Sequence, residues 1–275
     1  MAEAPFRIAV VAPAGRFTPE AAERVRAIAE ARPGRSVELH FHPQCFLSHG
    51  HFAGDDKARL EAVVEVGNDR GFDAVWFARG GYGSNRIAEA AVQRLTPAAL
   101  AKPWLGYSDL GFLMAGLFRA GASRVAHGPM CNDVVRPGGE AAVTRALDWL
   151  VEGDEAACEP AALTRPSLAF NLTVFSSLLG TPLEPDPTGR VLMLEEVSEH
   201  HYRIDRSLFH VTSSPSVRKA AGLMLGRCSD IPANDPDFGQ DEEAIARHWC
   251  EVAGIAWLGR ADIGHDVNNK VVPFT

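Results

Sequence analysis

The sequence predicts an α/β fold in two parts: an N-terminal, mostly parallel sheet flanked by helices, and a smaller mixed α/β unit after it. Three observations carry this. Short apolar runs alternate with amphipathic stretches from residue 6 onward, the β-α-β-α order of a parallel sheet. The pattern loosens between residues 135 and 168, where prolines and mixed polarity mark a connection. Beyond it a shorter set of helix-like and strand-like segments resumes, with the helix-like NLTVFSSLLG followed by the buried-strand run RVLMLEEV.

Element by element, FRIAVVA reads as the first strand, and Thr18, Pro19 and Glu20 supply an N-cap, a first-turn proline and a first-turn acid for a helix through about residue 31. SVELHF reads as a second strand. Residues 56–69 place Leu60, Val63, Val64 and Gly67 on one helical face before the third strand, DAVWFA. A helix is expected after the glycine-rich RGGYGS, then the short strand PWLGY, then a helix with Leu110, Leu113, Met114 and Leu117 at i, i+3, i+4 and i+7. TRALDWLVEG is a helix within the connection. The second part reads as a helix at NLTVFSSLLG, the strand RVLMLEEV, a basic helix, a strand near AGLMLG, a helix near EEAIARHWCEV and a final strand IAWLG. The expected organisation is an N-terminal domain over 1–135, a connection over 136–168 and a C-terminal domain over 169–275.

Composition narrows the function. At 275 residues, 46% apolar and 23% charged, the chain excludes disorder and collagen-like repeats and needs no metal or disulfide merely to fold. Its 27 basic against 35 acidic residues give a net charge of −8, so no general positive field draws a phosphate backbone, and nucleic acid is not an expected partner. The five cysteines are scattered, with no CxxC pair, which fits neither a disulfide framework nor a zinc site and points to a reducing cytoplasm. The short apolar run at the N-terminus, closed by Pro13 and Gly15, suits a strand better than a signal peptide, and no stretch is long enough to span a membrane. His40, His42, Cys45, His49 and His51 lie close in sequence, but no spacing completes a recognised ligand set, so no metal and no cofactor are expected.

The chemistry concentrates at a few turns. Gly106, Tyr107, Ser108 and Asp109 lie where a short strand stops and a helix begins, so a side chain there faces the crevice in which doubly wound sheets hold ligands, beside unpaired helix N–H groups. Those are the needs of a serine nucleophile, although Leu110 stands where a G-x-S-x-G elbow has glycine, and Ser108 or Asp109 also suits a plain N-cap. The loop Arg79 to Ser84 has three glycines that permit close backbone approach, either as a tight turn or as an anion-binding loop. Glu195 and Glu196 close an apolar strand, and His265 lies in a loop after another. Each alone suits a solvated surface role. With Ser108 they form a serine, acid, histidine order. Arg203, in HYRIDR, suits either a substrate carboxylate or a structural ion pair.

Taken in order, RIAVVAPAG, ARGGYGSNRI, KPWLGYSDL, AHGPM, NLTVFSSLLGTP, VLMLEEVSEHHYRIDR and GHDVNN followed by VVPF resemble segments of the LD-carboxypeptidase family, the S66 serine peptidases that include the microcin C self-immunity proteins. The resemblance implies Ser108 as nucleophile, His265 as base and Glu195 as the acid of the triad. It implies an N-terminal α/β domain carrying the serine, a smaller C-terminal domain carrying the acid and histidine, and a homodimer. Leu110 after GYSD, and Ala169 and Phe170 before Asn171, depart from the family pattern. The expected activity is hydrolysis of the L,D-peptide bond to a terminal D-alanine in murein-derived tetrapeptides. The alternatives are an amidase acting on aminoacyl- or peptidyl-nucleotides and, in another class, a non-catalytic small-anion binding module. Backbone N–H groups of Asp109 and Gly81 are the expected oxyanion donors, and Arg79 and Arg203 the expected cations for a substrate carboxylate.

Overall fold

The structure is a computed structural model that describes residues 4–275; the first three residues, with which the expected N-terminal domain opens, lie outside the described residues. The first sheet is built by β1 (Phe6–Val11), α1 (Pro19–Ala31), β2 (Val37–Phe41), α2 (Asp56–Asn68), β3 (Ala74–Phe77), α3 (Ala88–Gln93), α4 (Pro97–Leu100), β4 (Pro103–Gly106), α5 (Gly111–Arg119), β5 (Arg124–His127) and α6 (Gly139–Glu152). The second comprises β6 (Ser167–Asn171), α7 (Leu172–Leu178), β7 (Val191–Val197), α8 (His201–Ser213), β8 (Gly222–Ser229), α9 (Glu242–Ala253) and β9 (Trp257–Arg260), after which β10 (Val272–Pro273) returns to the first. The six-stranded order is β10-β5-β4-β3-β1-β2, parallel except for β10; the four-stranded order β6-β7-β8-β9 is parallel throughout. The predicted α/β class, with a helix-flanked, mostly parallel first sheet and a smaller second one, is what the chain adopts.

Local chemistry explains most elements. Thr18 Oγ1 caps α1 by accepting from the Ala21 amide, with Pro19 in the first turn, and Asp55 caps α2 in the same way. β3 and β4 are wholly buried, as strands covered on both faces must be. The buried face of α2 is rotated from the expected one: Val63 and Gly67 are inside, but Ala62, Val66 and Arg59 accompany them, while Leu60 and Val64 are only half-buried. Arg59 is drawn inward because backbone carbonyls receive its guanidinium.

Three strands were not anticipated, β5, β6 and β10. β5 is only four residues long, with Arg124 exposed at one end. β6 begins inside the expected connection and takes in the Ala169 and Phe170 that break the family pattern; it pairs with β7 from Ser167↔Val191 to Asn171↔Glu195. The expected final strand at IAWLG is followed by β10, which pairs antiparallel with β5 through Val272↔His127. A continuous apolar core joins the two sheets, from Val75, Trp104 and Met114 to Phe170, Phe175 and Leu194. Gly111 permits the close packing of α5 on α7, since a Cβ there would lie 2.8 Å from Val174 Cγ1.

The first sheet changes direction between β1 and β3. The loops that leave these strands face one crevice, the position where open α/β sheets bind ligands. They are tied together by the Gly15 amide, which donates to Gly80 O at 3.0 Å.

Candidate active site

β4 delivers Ser108 into this crevice. Its φ of +61° lies in the left-handed region that non-glycine residues seldom adopt, a strained turn that lifts the hydroxyl clear of the strand end. Gly80, at the end of β3, leaves room for it: a Cβ there would sit 3.0 Å from both Cβ and Oγ of Ser108.

The second sheet delivers the partners. A register shift between Leu194 and Glu196 on β7 redirects two successive carboxylates. Gly226 on β8 makes space for the first, since a Cβ there would lie 2.8 Å from Glu195 Cβ. Glu195 is fully buried, and its Oε2 is 2.5 Å from His265 Nδ1, while His265 Nε2 is 3.0 Å from Ser108 Oγ. Nδ1 donates to the carboxylate, which leaves Nε2 as the acceptor facing the hydroxyl. Burial by itself would lower the His265 pKa, but the Glu195 carboxylate beside it, with Glu196 and Asp133 further off, outweighs that effect and holds it above 6.5.

Glu196 has different company. Asn171 Nδ2 and the Val197 amide donate to Oε1, and the amide and hydroxyl of Thr173 donate to Oε2, at 2.7 to 2.9 Å. Its acceptor capacity is spent on the β6–α7 junction. Burial raises its pKa against these bonds.

The glycine loop is clamped from two sides. The Asp109 carboxylate accepts from the amides of Gly83 (3.3 Å) and Ser84 (2.8 Å), and Ser84 Oγ donates to Asp109 O. Arg59, fully buried under the Phe52 ring, donates to Pro13 O and Gly83 O and pairs with Asp56. Gly81 has φ +114°, which glycine adopts without strain.

Behind His265, the Tyr107 ring packs at 4.9 Å and its hydroxyl donates to Asp133 at 2.8 Å. Burial, then Asp133, keep Tyr107 protonated by raising its pKa. His127 lies on the other side of Tyr107, and burial lowers its pKa to about 4. Its Nε2 meets Asn269 Oδ1, which also accepts from the Gly264 amide, and Arg145 donates to the carbonyls of Val267 and Asn269. The histidine loop is thus held along its length.

Family models for the LD-carboxypeptidase N-terminal domain and C-terminal domain match residues 8–128 and 167–275. The chain belongs to the LD-carboxypeptidase family. Among relatives of this LD-carboxypeptidase-family chain, the murein tetrapeptide carboxypeptidase of Pseudomonas aeruginosa is 25% identical over 98% of this chain and 91% of its own length. A relative from Streptomyces coelicolor that carries a carboxypeptidase name is 31% identical over 80% of this chain and 74% of its own. The fold is shared with the muramoyltetrapeptide carboxypeptidase of Oxalobacter formigenes, with TM-score 0.78, 24% identity and coverage of 97% and 92%. It is also shared with the microcin C7 self-immunity protein bound to aspartyl sulfamoyl adenosine, with TM-score 0.77, 15% identity and coverage of 99% and 97%.

Of the residues singled out in this family member's sequence, Ser108, Glu195, His265, Gly81, Asp109 and Arg79 meet at the crevice. Arg203 does not: it is half-exposed on α8, 3.5 Å from Glu199, and lines neither cavity beside Ser108. Glu199 lies just before the N-cap His200 of α8, within reach of the Arg203 side chain in the first turn. Arg136 lines the cavity in its stead, Gly80 of the glycine loop supports the site, and so do Arg59, His127 and Asn269, which were not singled out. The one sequence signal for His127 and Asn269 was their membership of the AHGPM and GHDVNN segments. Among the described residues, no group of three or more His, Cys, Asp or Glu is placed to hold a metal ion. His42 caps the turn Pro43–Phe46, and Cys45 Sγ donates to Val10 O. No helix of the described residues is long and apolar enough to cross a membrane.

Proposed function

We propose that the protein is a serine-type LD-carboxypeptidase that releases terminal D-alanine from murein-derived tetrapeptides, with Ser108 as nucleophile, His265 as general base and Glu195 as the group that orients and charges the imidazole. The observation that carries this reading is the continuous chain from Ser108 Oγ through His265 to the buried Glu195, at 3.0 and 2.5 Å. His265 Nε2 accepts the hydroxyl proton as Oγ attacks the carbonyl carbon of the residue preceding D-alanine. The oxyanion that forms is received by the backbone N–H groups of Asp109 and Gly81, the second held in place by the Asp109 and Arg59 clamps on its loop. His265 then protonates the leaving amine as the peptide C–N bond breaks. Water, deprotonated by the same Nε2, releases the acyl group from Ser108.

The full-length similarity to the Pseudomonas aeruginosa murein enzyme supports this substrate over a nucleotide conjugate, for which the resemblance is one of fold. Purified protein offered murein tetrapeptide and, separately, an aminoacyl-sulfamoyl adenylate is expected to yield tripeptide and D-alanine from the first by mass spectrometry. Turnover of the adenylate alone would assign the amidase activity instead.

A further inference from the structure

The space around Ser108 is divided. One cavity of about 180 Å³ and another of about 260 Å³ meet at Ser108, Gly81 and His265. Their charges are opposite. The smaller is lined by Arg79, Arg136 and the amide side chain of Asn132, with Asp133 as its carboxylate, so its formal charge is one positive. The larger is lined by three carboxylates, Asp109, Glu196 and Glu199, and among the described residues by no lysine or arginine. A hydrolase must place the acyl portion of its substrate on one side of the nucleophile and the leaving group on the other, and electrostatic complementarity sends a free carboxylate to the cationic side.

The two arginines there are not equivalent. Arg79 is exposed and rests one Nη on the Arg16 carbonyl at 3.1 Å. Arg136 is only 37% exposed and is oriented through Nε, 3.2 Å from Asp133 Oδ1. Asp133 is itself fixed by the Tyr107 hydroxyl and the Met130 amide, both at 2.8 Å. With Nε engaged, the terminal Nη groups of a pre-oriented planar fork remain for a carboxylate. At about 180 Å³ the cavity is smaller than the roughly 300 Å³ at which drug-sized ligand pockets begin. It has room for one small residue.

Resting on the carboxypeptidase reading, we infer that Arg136 is the residue that makes the enzyme an exopeptidase: it binds the terminal carboxylate of the departing D-amino acid in the small cavity, while the acyl portion lies in the larger, acidic one.

The test is a comparison of kcat/KM on a tetrapeptide ending in D-alanine and on the same peptide ending in D-alaninamide, for wild type, Arg136→Gln, Arg136→Lys and Arg79→Gln. In wild type the free carboxylate is preferred. Arg136→Gln lowers turnover of the free acid by about 10- to 150-fold, the range of a lost hydrogen bond to a charged group, and brings the acid-to-amide ratio close to one. Arg136→Lys, which keeps the charge without the fork, retains part of the ratio, and Arg79→Gln retains most of it. If Arg136→Gln instead slows both peptides in parallel with the ratio intact, Arg136 is a support of Asp133 and the inference fails. A larger loss of ratio in Arg79→Gln than in Arg136→Gln also overturns it. A wild-type enzyme that cleaves neither peptide overturns the carboxypeptidase reading itself, an outcome distinct from both.

Discussion

Replacing Glu195 by glutamine separates charge from shape at the buried end of the proposed triad. The side chains are nearly isosteric, and Oε1 of Glu195 has no hydrogen-bond partner, so an amide NH2 at that position meets no competing donor and Oε2 can still accept from His265 Nδ1. What is lost is the negative charge that stabilises the imidazolium formed as Ser108 gives up its proton. The analogous substitution in serine proteases lowers kcat by about 10⁴ with the wrong imidazole tautomer included, equivalent to about 5 kcal/mol of transition-state stabilisation at 1.36 kcal/mol per tenfold. That figure is the ceiling here, where the tautomer is kept, and a smaller but large loss of kcat is expected with KM little changed. The pH dependence carries a second sign. His265 must be neutral to act, so wild-type kcat/KM falls on the acid side through a pKa held above 6.5. Without the Glu195 carboxylate, the burial that opposes it prevails, and the acid limb moves to lower pH. The assay is a kcat/KM profile on tetrapeptide between about pH 4 and 9, with thermal melting as control. A variant that keeps wild-type rate, or whose acid limb stays in place, would refute the coupling.

Glu196→Gln puts an amide NH2 against two or more of the donors now satisfied by the carboxylate, so it should destabilise the fold by about 1–3 kcal/mol. Its kcat should fall far less than that of Glu195→Gln; a reversal of this order in kinetics and melting would reassign the acid. Gly80→Ala brings a methyl group to 3.0 Å from Ser108 Oγ and should cost about 100-fold in rate through misplacement of the hydroxyl, read as kcat on tetrapeptide. Wild-type kcat in that variant would show that Ser108 is free to shift. Light scattering at micromolar concentration should give twice the mass of one chain, the exposed Phe209 and Val252 of α8 and α9 offering apolar surface for self-association; a single-chain mass would exclude the dimer.

Legibility of the fold in the sequence followed burial pattern. Strands buried on both faces, such as β3 and β7, read directly as apolar runs, α1 announces itself by Thr18 at its cap, and α2 by the spacing of its apolar residues. β5 and β6 do not, because four or five residues that begin at Arg124, or follow Pro166, carry too short a period, and their place is set by pairing with β10 and β7. The return of β10 depends on a contact between residues 127 and 272, which no local pattern encodes. At the site, the strand-to-helix turn makes Ser108 a candidate by itself, whereas the residues alone leave Glu195 and Glu196 equivalent; the resemblance favours Glu195, and the bulge that separates the two carboxylates is visible only in the β7–β8 register. Arg59 and Arg136 read as solvated charges on any propensity scale. They turn inward because carbonyls of Pro13 and Gly83, and the carboxylate of Asp133, receive them.

If Ser108 performs hydrolysis of the bond to a terminal D-alanine, its hydroxyl is indispensable to that step. D-alanine release from murein tetrapeptide, measured for wild type and Ser108→Ala at equal concentration with melting temperatures in parallel, tests this. Since the Ser108 side chain makes one hydrogen bond, to His265, its loss is expected to cost no more than about 1 kcal/mol of stability while removing the covalent step. Stoichiometric D-alanine is expected from wild type, and none above background from a variant with a near-wild-type melting temperature. Release of D-alanine by the variant at the wild-type rate would contradict the catalytic role of Ser108.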